Sequence, residues 1–156
     1  MSDHLNLLRD EIKNRAKIYA HIYHELSQKI GPDKAAEVLK GALYARGQEK
    51  GRQLAIKLGE PNLQQLAAAF IEGKTEMDAF GHEIVEEHSD YVVLRLNKCP
   101  LVDAWKESGL SSDEQQQMCD IAYQVDFGKF EAAGYKLSFD CRIADGCKTC
   151  DLRVTK

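Results

Sequence analysis

All five cysteines of the chain lie between residues 99 and 150, and the first 98 residues contain none. Cys147-Lys148-Thr149-Cys150 has C-x-x-C spacing, Cys141 stands just upstream of it, and Cys119 farther back. Thiolates are soft ligands that suit zinc or iron–sulfur clusters. A tetrahedral zinc site commonly joins a C-x-x-C turn to two further ligands from elsewhere in the chain. Cys119, Cys141, Cys147 and Cys150 are therefore candidate metal ligands, with zinc as the expected ion and an iron–sulfur cluster as the alternative. Free cysteine is also among the most buried residue types, so each could be no more than a small apolar side chain. A redox pair at Cys147 and Cys150 is a third reading. Reactive pairs of the thioredoxin kind sit where a helix dipole lowers the thiol pKa, whereas this pair sits in a hairpin.

Cys99 reads differently. It precedes Pro100, where a strand gives way to a helix. Exposed at that junction, with a helix N-terminus to stabilise its thiolate, it is a candidate nucleophile for acyl-type hydrolysis. A further metal ligand is the alternative. His21 and His24 are spaced to touch one ion but have no third ligand nearby, and read as interfacial or solvated. His82-Glu83 followed by His88 lacks the spacing of the zinc-protease motif.

These residues need elements to position them. Leu5, Leu8, Ile12, Tyr19, Ile22, Tyr23 and Leu26 recur at three- and four-residue steps, which predicts a first helix that Ser2 or Asp3 can cap. Gly31-Pro32 ends it and opens a second, over 32–58, closed by Gly59. Glycines 41, 47 and 51 interrupt that helix at about 1 kcal/mol each against alanine, a cost that close backbone packing can offset. A third helix is expected over 62–72. The period then changes. Residues 84–88 and 91–96 read as two antiparallel strands joined by a tight turn. On the second, Tyr91, Val93 and Arg95 share a face, and Arg95 points either into a polar pocket or into solvent. A short helix follows over 101–107. Ser111 and Ser112, with Glu114 and Gln115 three residues on, offer two overlapping capping boxes for a helix over 112–132. That helix would place Cys119, Ala122, Tyr123 and Asp126 on one face. A hairpin over 136–154, carrying three cysteines at its turn, completes the order ααα-ββ-αα-ββ. The fold class expected is α+β: N-terminal helices packed with a four-stranded antiparallel sheet. One domain spans 1–156, with a helical part over 1–75 and a sheet-containing part over 76–156.

A chain of 156 residues, 44% apolar and 29% charged, describes a globular protein with a real core. Its net charge of −4 and the lack of a basic cluster argue against a nucleic-acid partner. The polar start Met1-Ser2-Asp3-His4 is unlike a signal peptide, and no apolar run approaches membrane-spanning length, so a cytoplasmic location without membrane association is expected. In a reducing compartment, five cysteines suggest metal or catalysis before disulfides.

Lys98-Cys99-Pro100-Leu101, then Cys119 followed by acidic residues, then Gly146, Cys150, Asp151 and Leu152 near the end, resemble the L-2-amino-thiazoline-4-carboxylic acid hydrolase family. The glycine-punctuated second helix is similar to that family too. The end pattern more widely resembles the 4-vinyl reductase domain and aromatic-sensing regulator domains, whose fold is shared with vesicle-tethering transport-particle components. That resemblance implies N-terminal helices on a four-stranded antiparallel sheet, and a zinc ion at cysteines matching Cys119, Cys141 and Cys150. Cys147 and Ser138 depart from the pattern, and Cys147 could supply a fourth thiolate. The hydrolase resemblance implies hydrolytic opening of a small cyclic amidine. In it Cys99 would be the nucleophile, Asp120 or Asp126 would move protons, and Arg95 and Tyr123 would bind the substrate. The alternative is a small-molecule or metal-binding sensor or interaction module without catalysis, plausibly a homodimer.

Overall fold

Glycine and proline punctuate the helices where the sequence places them. The computed structural model describes residues 3–71 and 76–156. Helix α1 (Asp3–Ile30) ends at Gly31, and Pro32 opens α2 (Pro32–Leu58). Proline suits a first turn, where its missing N–H would have had no partner. Gly59, at φ 68°, closes α2 with a left-handed cap that donates its N–H to the Ile56 carbonyl. Helix α3 (Leu63–Ile71) follows. Its expected end at residue 72, and the expected cap at Ser2, lie outside the described residues.

A 3-10 turn (Glu76–Phe80) leads into β1 (His82–Glu87) and β2 (Tyr91–Leu96), an antiparallel pair with a bulge between Ile84 and Glu86. Cys99 caps α4 (Pro100–Glu107). Ser111 and Glu114 form the capping box that opens α5 (Ser112–Ala122), so of the two overlapping boxes the upstream one is used. The helix expected over 112–132 is interrupted at Tyr123, the corner at which α5 ends and α6 (Gln124–Ala132) begins. The N–H groups of Asp126 and Phe127 both reach the Tyr123 carbonyl and form the first turn of α6. Strand β3 (Lys136–Cys141), a 3-10 turn (Ile143–Asp145) and β4 (Cys150–Thr155) end the chain.

The corner at Tyr123 has a packing reason. Beyond it, α6 lies directly on α2 with backbone against backbone. A Cβ added at Gly47 would stand 2.1 Å from the Val125 carbonyl oxygen, and one at Gly128 would stand 2.2 Å from that of Tyr44. Gly47 and Gly51, which weaken α2 as a helix, are the ones that admit α6, whereas nothing packs against Gly41.

The sheet is antiparallel, in the order β1-β2-β4-β3. Val92, Leu94 and Leu96 pair with Val154, Leu152 and Cys150, and all six are buried on the helix-facing side. The other face carries ion pairs, Arg95 with Asp151 and Arg153 with Asp140. Trp105, fully buried, donates its indole N–H to the Ala16 carbonyl and ties α4 to α1. Helices and a four-stranded antiparallel sheet make the α+β architecture that the sequence implies. Among the described residues no helix is long and apolar enough to cross a membrane.

Candidate functional site

Three elements deliver three thiols to one place. Cys150 opens β4 opposite Leu96, Cys99 sits at the N-terminus of α4, and Cys119 lies on the inner face of α5. All three are buried and unbonded. Tyr123, at the corner between α5 and α6, is buried among them and feels the charge of each. Its hydroxyl donates to Cys150 Sγ at 3.1 Å, and the Ile143 backbone N–H reaches the same sulfur at 3.2 Å.

Burial dominates the acid–base behaviour of the cluster, because an apolar surrounding penalises the charged form. It pushes the Cys99 thiol up to about 12, against the opposing effect of the Val102 and Leu101 amides at the start of α4. The sequence places Cys99 exposed at a strand end. Instead it is 3% exposed, because Pro100 starts a helix whose Val102, Ala104 and Trp105 dock into the core and carry the cysteine inward. Cys119 is raised by burial, with Arg142 pulling the other way. Cys150 is also raised by burial, opposed first by the Ile143 N–H and then by the Tyr123 hydroxyl. Tyr123 itself is held well above the ordinary phenol value, first by burial and then by its cysteine neighbours.

On its other side Tyr123 walls a cavity of about 320 Å³ between α1, α2, α3, the sheet and the α5–α6 corner. Leu43, Phe70, Phe80, Leu96 and Leu101 make its apolar lining, and Asp126 faces it from α6. Arg15, Arg46 and Lys50 make its lining cationic. A pocket of this size, mostly apolar with a few convergent charges, suits a small organic anion.

The structure separates residues that the sequence groups. Cys141 and Cys147 are joined by a disulfide and do not converge with Cys119 and Cys150. Bonded sulfurs are not thiolate ligands, and among the described residues no group of three or more His, Cys, Asp or Glu side chains is arranged to hold a metal ion. The residues present thus do not fit the four-thiolate zinc site or the iron–sulfur alternative. Arg95 lies on the sheet face opposite the cavity and makes a two-pronged bond to Asp151, at 2.8 and 2.7 Å. Asp120 accepts from Arg142 at 2.6 Å and lines a separate surface cavity that Tyr123 also touches. Of the acids and binders named from sequence, Tyr123 and Asp126 meet at the cavity between the helices and the sheet. The sequence reading missed Arg15, Arg46 and Lys50. Arg46 and Lys50, four apart on one helix face, were the available signal.

The fold has a solved counterpart in subunit 3 of the trafficking protein particle complex from Naegleria fowleri, described as covalently bound to palmitic acid. The two share 15% identity with a TM-score of 0.59, over 92% of this chain and 95% of that one. Among curated proteins none matches the chain. The family model for L-2-amino-thiazoline-4-carboxylic acid hydrolase matches residues 11–154. That span holds the cavity, its cations, Tyr123 and every cysteine, and the chain belongs to this hydrolase family.

Proposed function

We propose that the protein hydrolyses a small anionic heterocycle of the cyclic amidine type, a 2-amino-thiazoline carboxylate, in the cavity beside Tyr123. The observation that carries this reading is the meeting of cationic, carboxylate and phenol groups around one apolar space: Arg15, Arg46 and Lys50 with Asp126 and Tyr123. The cations would hold the substrate carboxylate. Asp126 would take a proton from water as it attacks the amidine carbon between ring nitrogen and ring sulfur. Tyr123, a neutral phenol at neutral pH, would donate to the departing sulfur once its hydroxyl turns from Cys150. One water proton then ends on sulfur and the other on the ring nitrogen, leaving a carbamoylated amino thiol. Water is the attacking group in this scheme. Cys99, its thiol pushed up to about 12 by burial, is held in the protonated, poorly nucleophilic form at neutral pH.

Turnover of the thiazoline carboxylate, followed by the thiol it releases, tests the scheme. Asp126→Asn and Tyr123→Phe should each lower kcat by about 100-fold or more, the usual worth of a placed acid or base, with the substrate still bound. Cys99→Ala should keep most of the activity, whereas its complete loss with the fold intact would return the nucleophile role to Cys99. The second reading is a binding module without chemistry. The neutral, buried state of all three thiols favours it. Tight ligand binding by a wild-type protein that releases no thiol would select it.

A further inference from the structure

We propose that the Cys141–Cys147 disulfide is a thiol-responsive switch that fixes the loop over Cys150 and, through Cys150, the hydroxyl of Tyr123. Its consequence for turnover rests on the cavity reading above; its structural part does not.

The disulfide closes a short ring between the end of β3 and the residue after Gly146, a sequence separation of 6. Two residues inside the ring reach the site. The Ile143 N–H contacts Cys150 Sγ at 3.2 Å, and Arg142 bonds Asp120 on α5 at 2.6 Å as well as Asp145 within the ring. Cys150 Sγ is also the acceptor of the Tyr123 hydroxyl. A continuous line of contacts therefore runs from the disulfide, through the loop backbone and one sulfur, to the cavity wall. Accessibility is sorted along this line. Cys141 and Cys147 are half-buried, while Cys99, Cys119 and Cys150 are buried. A solution thiol meets the bonded pair first. With that bond open, the loop keeps its 3-10 hydrogen bonds, the buried Ala144 and the Arg142 ion pairs, which restrain it weakly because their carboxylates are well exposed, but it loses the covalent tie between its two ends.

The chemistry needs only a low-molecular-weight thiol, of which the amino thiol released by ring opening is one. Its thiolate attacks one sulfur of the pair, the S–S bond breaks, and the other cysteine leaves with the electron pair and takes a proton. A second thiolate attacks the mixed disulfide. The protein gains two thiols, and two small thiols become one small disulfide.

The test is the rate at which iodoacetamide alkylates Cys150, mapped by mass spectrometry. It compares oxidised wild type, wild type reduced with dithiothreitol, and the Cys141→Ser/Cys147→Ser double variant. Cys150 should react at least tenfold faster in the last two, while Cys99, at the start of α4, keeps its rate. Equal Cys150 rates in all three, equal acceleration of Cys99, or a peptide map of the unreduced protein without the 141–147 link would each overturn the switch. If Cys150 accelerates as expected but no form binds or turns over the thiazoline carboxylate, the switch stands and the cavity reading falls.

Discussion

The three core thiols are acids that the fold keeps protonated, and this has a cost at high pH. Cys99 has a folded pKa of about 12 against a model value of 9.0. A raised pKa means that stability is fully present below the unfolded value. Above it the unfolded chain sheds the proton while the folded chain retains it, so stability falls from about pH 9 until the folded thiol ionises near 12. Cys99→Ala removes this dependence. Urea midpoints at pH 7 and about pH 10.5 should show wild type losing roughly 2 kcal/mol more than the variant across that interval. At this scale the sequence was legible in part. Residue type and C-x-x-C spacing directed attention to the right segment, but spacing does not say which sulfurs meet. The ring from 141 to 147 encloses a turn whose shape depends on Gly146 at φ 94°, and the thiol left over, Cys150, joined two cysteines of distant elements instead. The Arg46–Lys50 spacing was visible but its meaning was not: an arginine on a long helix looks solvated until the facing element is known, and Arg46 does share an exposed ion pair with Glu49.

Among the elements, α6 depends most on its neighbour. Its approach to α2 is set by Gly47, Gly51 and Gly128, and Tyr44 adds a hydrogen bond to Glu131 across the same seam. Since Arg46 and Lys50 come from α2 and Asp126 from α6, the same seam fixes the distance between the cations and the acid. Gly128→Ala should therefore lower stability by about 3 kcal/mol, at the upper end for overpacking because the obstacle is rigid backbone. A urea melt would measure it, and activity should fall further than stability explains. Helix ends were readable because caps are local: Gly31-Pro32, Gly59 and Ser111 with Glu114 all act within a few residues. The corner at Tyr123 was not. It contains neither glycine nor proline, and the force that bends the chain there is a contact with a helix some 80 residues earlier in sequence.

At the level of the whole molecule, the core joins both halves of the chain, and Leu152 lies near its centre. It is wholly buried, pairs with both Leu94 and Phe139, and faces the helices. Leu152→Ala should lose about 2–5 kcal/mol in a urea or thermal melt, with the loss at the upper end if the helices cannot settle into the space. The α+β layering was legible because strand and helix periods differ, but strand order was not, since alternation specifies a face and not a neighbour. That order carries a consequence for biogenesis. Strand β4 lies between β2 and β3, although it is made after both. Until β4 is in place, β2 and β3 have no strand between them, and each presents a bare backbone edge of the kind that recruits foreign strands. The phenol at position 123 lacks at that stage the Cys150 sulfur to which it donates in the folded protein. The nascent chain should thus need protection by a chaperone until β4 joins the sheet, and the Tyr123 hydroxyl should reach the Cys150 sulfur only then.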